Sequence, residues 1–210
     1  MRVVRWFITT VVIAGVCWLF PLFHVVPLNT ARAKQTAAKF DATQFADTFW
    51  TNSLQPDIDK AADAKTLLTA IESDPGAAKK KWSRSVGLSE SYFYFLSGSG
   101  RVVAVSDDGI SLAVTDRSTN AEVLIQTGLI FGDAIRDGNG LLDPSAYPNS
   151  QDFNDISAAL NHIVETRVLP DVKREAKIGA TISFAGCAEV EDESTDLKPL
   201  KVVPIQAKAK

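Results

Sequence analysis

The chain opens with a long apolar run. From Trp6 to Leu28 there are 23 residues without Asp, Glu, Lys or Arg, and about 20 apolar residues suffice to cross the hydrocarbon core of a bilayer as a helix. Pro21 and Pro27 predict that the regular helix ends before Leu28. If it ends near Phe20, its length is that of the apolar part of a secretory signal. The pattern therefore fits both a membrane span and an export signal.

Three fates are open to this run. Cys17 could carry a lipid, but the residue before it is Val16, whereas lipoprotein processing requires a small residue there. A signal peptidase could cut after Ala33, although that site lies well beyond the predicted helix end. The third possibility, which we favour, is an uncleaved signal anchor over residues 1–33, because the basic start with Arg2 and Arg5 leads directly into the run. Cleaved or not, residues 34–210 are expected outside the cytoplasm.

Residues 34–90 show apolar positions at helical spacing and predict a helical segment that packs on the rest of the body. One helix starts at Asp41 or Thr43 and carries Phe45, Phe49 and Trp50, a second runs over 57–73, and a third opens at Asp74. The third contains three lysines at 79–81, which favour a solvated face over contact with lipid headgroups.

Residues 91–210 change to the short alternating pattern of strands. Four segments with turn signals between them predict an antiparallel meander over 91–96, 101–106, 110–115 and 122–126, which residues 129–135 could extend. A helix over 152–168, ended by Pro170, separates them from two further strands at 179–190 and 200–208. This order predicts an α+β protein: a membrane helix, a helical segment, then an OB-like five-stranded antiparallel β-barrel with an inserted helix.

The charge distribution argues against a nucleic-acid partner. The chain has 22 Lys and Arg and 25 Asp and Glu. Removing Arg2, Arg5 and Arg32 leaves 19 positive side chains and a body of charge about -6. Such a body repels phosphate backbones.

Catalytic and metal motifs are weak in this sequence. The two histidines are His24, inside the apolar run, and His162, on the predicted long helix, so a nucleophile and base pair is not indicated. Cys187 is expected to be a buried apolar residue in a strand. We therefore predict no cofactor, no metal and no enzyme activity. Carboxylates leave a hydrolase as an alternative, at Asp133, Asp137, Asp143 and Asp155.

Two further acidic patterns do not predict a binding site. DGNGLLD over 137–143 lacks the alternating ligands and the closing glutamate of a calcium loop. The acidic run Glu189, Glu191, Asp192, Glu193 and Asp196 is expected to form a solvated hairpin between the last two strands.

Arg136 and Asp137 follow the apolar segment 129–135, so they are expected to be partly buried. A buried arginine holds a carboxylate with its planar fork. That carboxylate can belong to the protein or to a ligand, and the structural role is the favoured one.

The order of several phrases resembles the DUF2291 family, predicted periplasmic lipoproteins of bacteria. The phrases are HVVPLN, FDATQFADTFW, FLSGSGRVV, VLIQTGLIFGDAIRD, NSQDFNDISAALN, IGATISFAG and VVPIQ, and they cover nearly all of residues 24–208. The resemblance implies recurring polar positions, which we take as candidate ligand-binding residues: Arg136, Asp137, Asn149, Gln151 and Asn161.

The resemblance also implies a location and a partner. Family members commonly carry a lipidated cysteine just before a Val-Pro-Leu phrase, but here Leu22, Phe23, His24 and Val25 precede that phrase, which favours the protein anchor. Family genes tend to lie beside those of sugar ABC transporters. We expect a protein of the bacterial inner membrane whose body faces the periplasm and acts as an accessory or binding module, with transporter components as partners. The alternatives are a receptor for a sugar or nucleoside and the hydrolase.

Overall fold

A computed structural model describes Trp6 and residues 40–87, 90–115, 118–147 and 149–210. The chain divides into two units, Met1–Phe40 and Asp41–Lys210, and the fold below is that of the second. The predicted anchor, the site after Ala33 and Cys17 lie outside the described residues. Within the described part of the chain, no helix combines the length and the apolar character needed to cross a bilayer.

The unit begins with helices whose first turns are capped by aspartates. Helix α1, Ala42–Phe49, is capped by Asp41 and continues through a π-helical turn, Trp50–Leu54, into α2, Gln55–Asp57, and a 3-10 turn, Ile58–Lys60. Strand β1, Ala62–Asp63, precedes α3, Ala64–Ser73; helix α4, Pro75–Trp82, leads into strand β2, Ser83–Arg84.

The predicted second helix over 57–73 is wrong over residues 57–63, because the helix begins only at Ala64. The carboxylate of Asp63 accepts a hydrogen bond from the backbone N–H of Thr66 at 2.8 Å, so α3 starts at Ala64. The residues just before it pair in parallel with a strand of the sheet, with Ala62 opposite Leu96. Apolar spacing alone predicted a longer helix. The N-cap at Asp63 fixes where the helix begins, and the strand pairing of Ala62 keeps the preceding residues out of it.

Five longer strands form the rest of the sheet. They are β3, Tyr92–Val105; β4, Gly109–Ala113; β5, Val123–Gln126; β6, Thr181–Val190; and β7, Leu200–Ala209. The sheet order is β1-β3-β4-β5-β7-β6, β2 pairs with β3, and β6 also pairs with β3. The five longer strands therefore form a ring of pairings, and β1 and β2 add to the first half of β3.

The prediction of five antiparallel strands in a barrel is corrected in two respects. The sheet has seven strands, with β1 and β2 outside the ring, so it is not a simple closed barrel. Two of its pairings are parallel, β1 with β3 and β5 with β7. The mixed α+β class and the strand, helix, strand order are confirmed.

The turn predicted at residues 97–100 is instead the middle of β3. Ten consecutive residues of β3 pair with β6, from Tyr92 opposite Val190 to Arg101 opposite Thr181. A Cβ at Gly98 would lie 2.8 Å from the Cβ of Ala64. The glycine is there because α3 packs closely on the strand, not because the chain turns.

The remaining helices join and cover the strands. They are α5, Ala134–Asp137; a 3-10 turn, Pro144–Ala146; α6, Ser150–Ile163; a π-helical turn, Val164–Val168; α7, Leu169–Glu175; and α8, Glu193–Asp196. Residues 129–135 do not extend the meander, because they form a loop and the start of α5. Pro170 does not end the long helix either. The π-helical turn shifts the hydrogen-bond register, so this proline falls in the first turn of α7, where its missing N–H is tolerated.

The core lies between the strands and helices α3, α5 and α6. Its largest fully buried apolar side chains include Leu96, Leu112, Ile125, Ile135, Ile156, Leu160 and Ile182. Helix α1 packs on α6, so the first helix of the unit and the long inserted helix are neighbours.

Candidate functional site

Arg136 and Asp137 lie in α5 and are both buried, with exposed fractions of 5% and 3%. The Nε of Arg136 donates to Oδ1 of Asp137 at 2.7 Å, and its Nη2 donates to Oδ2 at 2.8 Å. The predicted burial of this pair is confirmed. Two parallel bonds between a guanidinium and a carboxylate are the strongest form of side-chain ion pair.

The other N–H groups of Arg136 also have acceptors in the protein. Nη2 lies 3.0 Å from Oδ2 of Asp133. Nη1 donates to the carbonyl oxygen of Phe153 at 3.3 Å and to Oδ1 of Asn154 at 3.4 Å. The guanidinium carbon lies 3.8 Å from the centre of the Phe153 ring. All five N–H groups are thus matched, and Arg136 connects α5 to α6.

The electrostatics of Arg136 follow from this arrangement. Burial opposes its positive charge, but the hydrogen bonds and the charge of Asp137 outweigh that cost and raise the pKa of Arg136 above its usual value. Asp133 adds to the same effect. The guanidinium stays charged and paired, which fits the structural role favoured from the sequence. Its assignment to ligand binding stays a prediction.

The other three predicted site residues have hydrogen-bond partners outside this pair. Asn149 caps α6: its side chain accepts from the backbone N–H of Asp152 at 2.7 Å. Gln151 is exposed and donates to Oδ1 of Asp155 at 2.7 Å. Asn161 is buried and donates to the carbonyl oxygen of Gly132 at 3.0 Å.

Of the carboxylates predicted for a hydrolase, two share a partner and two have local partners. Asp133 and Asp137 contact Arg136, whereas Asp143 caps the 3-10 turn through the N–H of Ser145 and Asp155 accepts from Gln151. No three His, Cys, Asp or Glu side chains within the described ranges are grouped to hold a metal ion.

A cleft of about 520 Å³ opens beside the buried pair. Its volume is in the range of small-molecule sites. The charged side chains around it are mostly acidic, and Phe93 and Phe153 supply aromatic rings. Besides Arg136, the charged lining residues are Glu90, Asp133, Asp137, Glu189 and Glu191. Because Asp137 already compensates Arg136, the charges of the cleft favour a neutral or cationic molecule over an anion.

Glu189 corrects one prediction. It is a half-buried residue of β6 on the wall of this cleft, not part of a solvated hairpin. Burial raises its pKa, and the nearby carboxylates of Glu191 and Asp133 raise it further. The sequence did contain a signal for this position, because Glu189 lies within the strand pattern predicted for residues 179–190.

Three other residues of that acidic run, Asp192, Glu193 and Asp196, have structural roles. Asp192 caps α8 through the N–H of Ser194 at 2.8 Å. Asp196 forms an ion pair with Lys201 at 3.0 Å. Glu193 accepts hydrogen bonds from Lys79 at 3.2 Å and Tyr92 at 3.1 Å.

Cys187 is fully buried in β6, as predicted. Burial, with the nearby charge of Asp137, raises the pKa of its thiol above the ordinary value. His162 is exposed on α6. The two residues therefore occupy different environments and do not resemble an activated nucleophile with its base.

Comparisons with known proteins agree with the fold. Residues 8–208 match the family described as predicted periplasmic lipoprotein, DUF2291. No curated protein matches the sequence. The crystal structure of an OB-fold protein from Thermotoga maritima is similar with a TM-score of 0.73 and 23% identity, covering 82% of this chain and 100% of that one. At that identity the likeness concerns the fold alone.

Proposed function

Because this chain belongs to the DUF2291 family of predicted periplasmic lipoproteins, we propose that it is a non-catalytic accessory module held at the inner membrane. The family description supports a periplasmic location. For this chain we propose attachment through the apolar run at residues 6–28, since Val16 precedes Cys17 and no cysteine precedes Val26-Pro27-Leu28.

The observation that carries the non-catalytic role is the full pairing of Arg136. Catalytic carboxylates and arginines need atoms free for a substrate, and in this cluster the guanidinium is matched to protein acceptors on every side. Asp133 in turn accepts from the hydroxyl of Ser157 at 2.7 Å. The cluster fixes α5 against α6 and leaves the domain surface to bind a partner.

The proposed partner is a component of a sugar ABC transporter, on the basis of the gene neighbourhood of the family. The test is purification of the full chain from membranes in mild detergent, followed by identification of what co-purifies. We expect a permease or a solute-binding protein in constant ratio. If neither protein is recovered with the chain after chemical crosslinking in intact cells, the proposal is contradicted.

A second candidate function is a receptor for a sugar or nucleoside, and Glu189 favours it. A half-buried carboxylate beside Phe93 and Phe153 is suited to accept hydrogen bonds from hydroxyl groups while an apolar ring packs on the ligand. A ligand that binds only the folded state raises the melting temperature.

Thermal-shift screening of the full chain against sugars and nucleosides tests this function. A stabilising compound should lose its effect in Glu189→Gln and in Glu191→Gln but keep it in Glu72→Gln, an exposed glutamate outside the cleft. If none of the compounds stabilises the protein, the receptor function is rejected and the accessory function is unaffected.

A further inference from the structure

The loop between β5 and α5 presents two large apolar side chains to solvent. Leu129 is 77% exposed and Phe131 is 75% exposed. We call these two residues the apolar tip. Neighbouring exposed apolar side chains on one loop form a patch, and contiguous apolar patches mark protein or membrane contacts.

The loop holds the tip in place. Ile130, between the two tip residues, is buried, and its N–H donates to Oε1 of Glu165 at 3.0 Å. Asn161 donates to the carbonyl oxygen of Gly132 at 3.0 Å. Gly132 has a φ of 82°, which a residue with a side chain rarely adopts. Leu129 and Phe131 are therefore directed outward by fixed backbone, because α6 anchors the residues between and after them.

The tip lies on the side of α6 where the folded unit begins. A groove beside the tip is lined by Ala158 and His162. The same two residues of α6 line a second groove that Ala42 and Thr43, at the start of α1, also line. The first turn of the unit and the apolar tip thus flank one stretch of α6.

The sequence limits how far this side can be from a bilayer. Twelve residues, 29–40, separate the end of the apolar run from Asp41. Fully extended, they span at most about 40 Å. A domain on so short a tether meets the membrane surface at a high effective concentration, so even a weak apolar contact is populated.

We propose that Leu129 and Phe131 insert into the interfacial layer of the bilayer and set the orientation of the domain. This inference rests on the proposed membrane attachment. The lipid it suits is zwitterionic, because the body carries a net charge of about -6 and is repelled by anionic surfaces. Two carboxylates beside the tip are bonded within the domain: Glu165 accepts from the N–H of Ile130, and Asp133 is bonded to Arg136 and Ser157.

The experiment places an environment-sensitive fluorophore at the tip of the full chain in phosphatidylcholine vesicles. Leu129→Cys and Phe131→Cys are labelled in a Cys17→Ser background, and the buried Cys187 is retained. The control is Ile178→Cys, which is as exposed, at 75%, but lies in the connection between α7 and β6. Flotation of the vesicles reports attachment separately.

Insertion predicts a several-fold rise in emission with a blue shift at 129 and 131, quenching by spin-labelled lipid, and no change at 178. A blue shift without quenching by lipid would mean that protein, such as a second copy of the chain, covers the tip, and would overturn the proposal. Unchanged emission on floated vesicles would overturn it while leaving attachment intact. Failure to float would instead reject the attachment on which it rests.

Discussion

Gly138 lies directly against Cys187: a Cβ at position 138 would come within 2.5 Å of the Sγ and 2.6 Å of the Cβ of the cysteine. It would also come within 2.5 Å of the carbonyl oxygen of Ala134. This contact closes α5 onto β6 and brings the helix that carries Arg136 down onto the sheet. No real Cβ tolerates such distances, so position 138 requires glycine for space.

Gly138→Ala is accordingly expected to destabilise the domain by about 1–3 kcal/mol, through displacement of α5. Urea unfolding measures the change. Gly76→Ala is the matched control, because a Cβ there would meet its nearest neighbour at 3.4 Å and the residue is helical. The control should gain about 0.5 kcal/mol. Equal effects of the two changes would contradict the packing described for Gly138.

Arg136→Lys tests the buried ion pair. Lysine keeps the charge but cannot form the two parallel bonds to Asp137 or reach the carbonyl of Phe153, so buried acceptors lose their donors. We expect a loss of about 3 kcal/mol in the free energy of unfolding. Arg174→Lys, at a pair with Asp171 whose side chains are 67% and 64% exposed, should cost less than about 0.5 kcal/mol.

Asn149 and Gln151 provide a second comparison, since both were predicted as site residues. Asn149→Ala should cost about 1 kcal/mol, because it removes the N-cap of α6. Gln151→Ala, which removes only a surface bond to Asp155, should stay within about 0.5 kcal/mol. Thermal or urea unfolding checks both. If Gln151→Ala changes ligand or partner binding without changing stability, its role as a site residue gains support.

The titration of Glu189 is expected to make the stability of the domain depend on pH. Its pKa in the folded state is raised above the ordinary value of 4.5, so the folded state binds the proton more tightly than the unfolded state. The contribution of Glu189 to the free energy of unfolding is fully present below pH 4.5. It is lost as the pH rises through the pKa of Glu189 in the folded state. Glu189→Gln should therefore be more stable than wild type at pH 7 and about equal to it at pH 4. Urea midpoints at the two pH values measure this, with Glu72→Gln, an exposed site, expected to change neither.

Local patterns predicted the fold class well and the strand boundaries less well. The period of two in residues 91–126 and the helix before the last two strands led to the OB-like order. Gly98 and Gly100 were interpreted as a turn, because a sequence does not distinguish a glycine needed for chain reversal from one needed for close packing. Pro170 was interpreted as a helix end, because the π-helical turn before it has no sequence signal of its own.

The site was only partly predictable for a similar reason. The burial of Arg136 and Asp137 followed from their place after an apolar segment. The partners of Arg136 on α6, Phe153 and Asn154, lie 17 and 18 residues later, and nothing local in the sequence joins them to it. Glu189 was assigned to a solvated hairpin because acidic residues follow it, although it lies within β6, which continues to Val190.

The parallel pairing of β5 with β7 has a consequence for how the domain forms. The two strands are neighbours, with Val123 opposite Leu200, although 73 residues separate Gln126 from Leu200. Contacts between such distant parts of a chain raise the contact order and slow folding. The β5 edge stays without its neighbour until β7 has been synthesised and has paired with it, so a nascent chain exposes that edge to pairing with other chains during this interval.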